Sequence, residues 1–323
     1  MFALLDRLEV DVDVGAVLRW SDGTEEVVRA DHRGHDGLSA AALLLDAAGY
    51  TARAPERRLL VDGDVRWRDW PAIWRRFQVD FRDRQVPWRE TFPVEGRVPP
   101  LRPDDPGFGW IEWDAETSRH ILDTCRARGI SLNALLLWGL NRTVMPLVAE
   151  GETSFPWIMP VDLRRRGRAD AAETVATSGV MLDLGAAHLP EEVHAQLVEK
   201  VLGRSYLAYW FVTERLTRRL PPQVLWPLLR DKELGGNRCM GGCTYLGDLS
   251  AWVERAPEGR RIETAVGFNL LSRQFPVQSV GFRWEGKLTF SLRMHPLIWA
   301  GDASPLIEEW RETVESEVGL HPR

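Results

Sequence analysis

Three observations predict an α/β fold with mixed sheets. Strand-like and helix-like segments alternate along the chain. Asp-Gly and Glu-Gly turns join several strands into hairpins. The 323 residues, 44% hydrophobic and 27% charged, suit a globular chain with a sizeable core. That length accommodates one large domain or two lobes.

The opening "GAVLRW" and "EEVVRAD", separated by Ser-Asp-Gly-Thr, read as a hairpin with a tight two-residue turn. "LSAAALLLDAAG" has helix-forming composition and stops at Gly49. Trp70, Ile73, Trp74, Phe77 and Phe81 recur at spacings of three and four, so an amphipathic helix is expected within 69–88. Four prolines in "RVPPLRPDDPG" (97–107) mark a linker and set the expected domain boundary, with residues 1–100 on one side and 101–323 on the other. "FGWIEW" is a strand. The next helix has Asp114 as N-cap and Gly129 at its end. "SLNALLLWGLNRTVMPLV" opens on Ser131 and is apolar nearly all round, which predicts a buried helix. "SFPWIMPVDL" and "TSGVMLDL" are strands, followed by a long helix over 190–217 and a short one from Pro221. The last third is β-rich: "ETAVGFNLL", "VQSVGFRW" and "KLTFSLRM", the latter two joined at Glu285-Gly286. A final helix starts with Ser304 as cap and Pro305 in the first turn.

Net charge of −6 argues against nucleic acid as the main partner, and "LRRRGR" (163–168) is a local run. No apolar stretch has the length of a membrane span, and the acidic opening is unlike a secretory signal. Three cysteines make no disulfide framework, so a cytoplasmic location is expected. Cys239 and Cys243 lie in "GGNRCMGGC", read as a flexible loop. The 15 tryptophans are read mainly as core. His120 is expected in solvent and His295 in a loop.

The segment with chemical content is Asp31-His32-Arg33-Gly34-His35-Asp36-Gly37, at a strand-to-helix switch. A neutral imidazole there can accept a proton from an alcohol, amine or thiol. Asp36 needs a partner if buried, and fixes the turn. His35 lacks the spacing to Asp-Gly that His32 has. The bland alternative is a polar surface turn. No metal is expected, because side chains at consecutive positions diverge and no second ligand cluster follows.

These residues resemble the HHxxxDG signature of the chloramphenicol acetyltransferase-like superfamily, which includes the condensation domains of nonribosomal peptide synthetases and HxxxDG acyltransferases. Its second His falls on His32, its Asp on Asp36 and its Gly on Gly37, while Asp31 replaces the first His. "ARGISLNALLLWGLNRTV" followed by "FPWIMPVDLRRRG" is similar to the family's helix and a strand ending in "PvdlR". "GGCTYLGDL" resembles a segment near the acyl site, with Thr244 and Gly247 matching and Tyr245 in place of Asn. The likeness runs loosely over 16–318. It implies two chloramphenicol acetyltransferase-like lobes with mixed sheets flanked by helices, the active site lying in the channel between them. The motif begins at residue 32 where the family usually has a hundred or so residues before it, so the N-terminal lobe is expected to be incomplete.

The resemblance implies an acyltransferase with His32 as general base. Arg164, or Arg165 failing that, would pair with Asp36, and Thr244 and Gly247 would stand near the oxyanion or substrate. It implies no permanently bound cofactor, with acyl-CoA or acyl-phosphopantetheine as co-substrate. The partners it implies are a small-molecule acceptor and an acyl or peptidyl carrier protein. A partner chain completing the N-terminal lobe is a further expectation. The alternative is a non-catalytic, condensation-like scaffold for a carrier domain or synthase. An isomerase or cyclase reusing the same channel is a third reading.

Overall fold

The computed structural model describes residues 13–31, 36–52, 57–59, 66–80, 102, 104–148, 154–166, 177–212, 221, 224, 239–269, 271, 275–296 and 298–320. Among them the order is β1 (Asp13–Trp20), β2 (Glu25–Asp31), α1 (Gly37–Ala47), β3 (Thr51–Ala52), β4 (Arg57–Leu59), α2 (Trp70–Asp80), β5 (Phe108–Trp113), α3 (Ala115–Arg128), α4 (Leu132–Val148), β6 (Ser154–Asp162), β7 (Arg164–Arg166), β8 (Thr177–Gly185), α5 (Pro190–Gly203), α6 (Ser205–Trp210), β9 (Gly241–Asp248), β10 (Val253–Arg255), β11 (Ile262–Phe268), β12 (Val277–Trp284), β13 (Lys287–Met294) and α7 (Ser304–Glu317).

The centre is a six-stranded mixed sheet in the order β5-β13-β12-β9-β6-β8. Both of its faces are covered, which is why "KLTFSLRM" is buried at nearly every position rather than at alternate ones. One face meets the helices in the main core, with Trp157, Phe155 and Phe290 beneath α4 and α7. Of α4's 17 residues 13 are buried, as its all-round apolar sequence predicts. Gly139 permits the close approach of α7, since a Cβ there would sit 2.9 Å from Val314. Trp310 Nε1 then donates to the Leu136 carbonyl at 3.1 Å.

The other face meets a smaller three-stranded sheet, β11-β1-β2, with α1 packed beside it. Strand β1 is its middle strand, pairing antiparallel with β2 and β11. Strands from either side of residue 100 therefore share this sheet. Eight of the tryptophans are buried (Trp20, Trp113, Trp138, Trp157, Trp210, Trp252, Trp284 and Trp310), in line with their reading as core. No helix among the described residues is long and apolar enough to cross a membrane.

Several local readings change. The first hairpin turns through three residues: Arg19 pairs with Glu25, the Trp20 N–H donates to the Thr24 carbonyl, and Gly23 takes φ +81°. The helix from Pro190 stops at Gly203 because Arg204 is left-handed, φ +59°, and α6 restarts so that the Tyr206 carbonyl accepts from Ser178 Oγ at 2.6 Å. Pro221 and Val224 are the only described residues of the short helix expected there, and Phe81 lies outside the described residues. At the final helix Ser304 is the first helical residue, and Asp302 accepts from its N–H at 3.0 Å. "GGC" opens strand β9, with Cys243 buried in the main core, so the loop expected there is a strand. Of the proline-rich stretch, residues 97–101 and 103 lie outside the described residues. Pro106 and Gly107 are fixed: their carbonyls accept from the N–H groups of Ala303 and Met294 at 2.8 and 2.9 Å.

Candidate functional site

Asp36 is fully buried. It is the N-cap of α1, in extended backbone at φ −82°, ψ 177°. One carboxylate oxygen accepts from the Ser39 N–H and the Ser39 hydroxyl, each at 3.1 Å. The other accepts from the Thr177 hydroxyl at 3.0 Å. Thr177 begins β8, opposite Asp162 at the end of "PVDL". A local helix cap is thereby also a tie between α1 and the six-stranded sheet.

Gly37 has a different reason to be where it is. A Cβ at this position would sit 3.1 Å from Leu246 Cδ2, so glycine lets the first turn of α1 press against β9. The far end of α1 is held as well. Tyr50 Oη accepts from the Ile262 N–H at 2.8 Å, and its ring meets Trp284 edge-on at 5.5 Å.

Between α1, the small sheet and strands β9 and β12 lies a cleft walled by Leu18, Leu44, Leu45, Ile262, Phe282 and Trp284. Gly37 and Thr244 also border it. Its polar side chains are those of Thr244 and Asn269. Its volume is about 60 Å³, room for several waters at roughly 10–15 Å³ each. An apolar hollow of this kind suits a hydrocarbon chain better than water.

The expected site residues fall in three groups. Gly37 and Thr244 border this cleft, and Asp36, next to Gly37 in the chain, turns its carboxylate to Ser39 and Thr177 instead. His32 and His35 lie outside the described residues, as does the side chain of Arg164. The Arg164 backbone starts β7, pairing with Leu59, and Arg165 pairs with Arg58. Gly247 occupies a bulge in β9: Tyr245 pairs with Gly281 but Asp248 with Arg283, and the intervening glycine takes φ +92°. Asp248 then forms an ion pair with Arg283. Tyr245 points to the helix side and stacks on Phe290 at 5.8 Å, so it does not face the cleft.

Sequence reasoning missed Ser39, Thr177, Gln278 and Arg293. Ser39 stands three residues after Asp36, the spacing of a helix cap. Thr177 needed the β6–β8 register. Gln278 and Arg293 are polar residues inside strands that are otherwise buried on both faces. Arg293 is 6% exposed and donates to the Asn269 carbonyl at 3.0 Å. Burial pushes its guanidinium down to about 10, Asp105 acts against that shift, and Arg29 adds to it. His295, expected in an open loop, is 6% exposed, and its N–H donates to the Pro276 carbonyl at 2.7 Å. Burial and the charge of Arg293 lower its pKa. His120 is exposed as expected, and its Nε2 lies 3.0 Å from the Val318 carbonyl.

Burial also raises the pKa of all three thiols, Cys243 to about 12 and Cys125 to about 11, which disfavours the thiolate form that a nucleophile uses. No group of three His, Cys, Asp or Glu among the described residues is arranged to hold a metal ion.

No family model and no curated protein matches the sequence. Solved structures do match. Polyketide synthase associated protein 5 from Mycobacterium tuberculosis is 16% identical with a TM-score of 0.57, over 92% of this chain and 74% of that one. The EpoB cyclization-docking bidomain of a nonribosomal peptide synthetase from Sorangium cellulosum is 12% identical with a TM-score of 0.53, over 87% of this chain and 52% of that one. The wax ester synthase/diacylglycerol acyltransferase from Marinobacter aquaeolei VT8 is 11% identical with a TM-score of 0.52, over 92% of this chain and 67% of that one. The chain has the fold these proteins share, the chloramphenicol acetyltransferase-like fold of condensation-type domains and acyltransferases, and spans part of the length of each.

Proposed function

We propose that the protein is an acyltransferase, moving an acyl group from a coenzyme A or carrier-protein thioester to an alcohol or amine acceptor. The observation that carries this reading is the position of the apolar cleft. It is bordered by Gly37, immediately after the buried Asp36, and by Thr244. A chain buried there has its reacting end beside the segment that bears His32. In this reading residues 1–100 supply the motif-bearing lobe and 101–323 the larger one.

His32 takes the acceptor's proton as its oxygen or nitrogen attacks the thioester carbonyl. The tetrahedral intermediate then expels the thiolate, which recovers a proton from the imidazolium. The Thr244 hydroxyl and backbone N–H groups are the donors nearest the developing oxyanion. Asp36, with Arg164 as a further partner, holds the turn that presents His32. The thioester is a co-substrate, and neither a resident cofactor nor a metal takes part. The donor thioester is carried by coenzyme A or by a carrier protein, in a setting such as the cytoplasm.

Thiol release tests this directly. Acyl-coenzyme A thioesters of increasing length, each with mixed alcohol and amine acceptors, are run with the native protein and His32→Ala. Release that falls by roughly 10²–10⁴ in the variant is the expected result. Equal release from both proteins removes the mechanism. Binding without release from either leaves the non-catalytic, scaffold-like reading.

A further inference from the structure

The six-stranded sheet holds a glutamine whose side chain makes no hydrogen bond with the described residues. This residue, Gln278 in β12, is 8% exposed. It pairs in register with Gly242 on one side and Arg293 on the other. The side chain lies over Gly242: a Cβ there would sit 3.0 Å from Gln278 Oε1. Glycine keeps this space open.

Gln278 shares a strand face with Val280, Phe282 and Trp284, since residues two apart point the same way. Those three wall the cleft. Thr244, two residues beyond Gly242, borders the cleft too, and its hydroxyl likewise makes no hydrogen bond with the described residues. Strand spacing puts it about 8 Å from Gln278. The neighbouring Arg293 donates to the Asn269 carbonyl.

A carboxamide beside an apolar cleft that bonds no neighbouring side chain is met by water, or by a ligand that replaces that water. A carboxamide presents a donor and an acceptor side by side, and the group that meets both at once is another amide. We infer that Gln278, lying over Gly242, binds an amide in the substrate chain that enters beside the apolar cleft, a role that rests on the acyl-transfer reading of the same site. Amides occur in two parts of such a substrate, the thiol arm of the thioester and the acyl group itself.

Calorimetric titration of the full chain separates these sources. The ligands are the hexanoyl thioester of N-acetylcysteamine, its counterpart with an ester oxygen replacing the amide N–H, and an N-acetyl-β-alanyl thioester of ethanethiol beside the hexanoyl thioester of ethanethiol. The native protein is expected to prefer one amide ligand over its amide-free partner by about tenfold, and the pair showing the preference identifies the source. Gln278→Leu should reduce it to less than about twofold. Gln278→Glu, nearly isosteric, gives the same answer if the leucine variant does not fold. No preference in the native protein, no binding of any ligand, or a preference that survives both substitutions overturns the inference. Turnover without amide preference removes this inference and leaves acyl transfer. A preference that depends on Gln278 in a protein without turnover does the reverse.

Discussion

His295 carries a pH dependence that follows from its surroundings. Its imidazole is buried beside Arg293, and both effects lower its pKa below the ordinary value. In the unfolded chain it titrates near ~6.5. Between the folded and unfolded values the unfolded state binds more protons, so stability rises with pH across that window and is level above it. As pH falls from 7.5 to 5.5, the urea midpoint should drop, and should drop less in His295→Gln. Parallel curves for the two proteins would show that other groups govern the acid limb. The sign is opposite to that of a histidine stabilised by a carboxylate, whose contribution is lost as pH rises.

Helix α1 is held at both ends, by Asp36 to Thr177 and by Tyr50 to Ile262. Asp36→Ala removes a cap worth about 1 kcal/mol and leaves the Ser39 and Thr177 donors unmatched, for a total of about 2–3 kcal/mol. Urea unfolding should show this loss, with a smaller one in Thr177→Val. Equal stability of Asp36→Ala and the native protein would mean that the tie contributes nothing. Elements with a strong local signal were legible in sequence: the cap at Asp114, the left-handed Gly129 at φ +68°, and the Glu285-Gly286 turn with both residues at positive φ. The break at Arg204 was not, because it answers to Ser178, a residue remote in sequence. The Asp-Gly pair of the site was legible from its spacing. Thr177 was hidden because only strand pairing brings it there, and Gln278 because a strand buried on both faces carries polar residues on each, Gln278 and Ser279 side by side.

For the whole molecule, the six-stranded sheet contains an uneven joint. Strand β9 pairs with β12 at six positions but with β6 at two, Trp157 with Gly241 and Ile158 with Gly242. The sequence of β6 supplies the reason. The Pro156 carbonyl accepts from the Met240 N–H, so alternate residues Pro156, Ile158 and Pro160 direct their main-chain groups toward β9. Two of these three have no N–H to give. Strands β6 and β8, fully paired with each other over nine positions, form one cooperative block with α5 and α6. Strands β5, β13, β12 and β9 form another. Amide hydrogen exchange should resolve two protection classes divided at Ile158 and Gly242, and a single class across all six strands would refute the division. The helix-side core bridges both blocks, so stitching by side chains compensates for missing main-chain bonds. Two prolines have thus scored the sheet along a line, and under denaturant or mechanical load that line is where the molecule should first part.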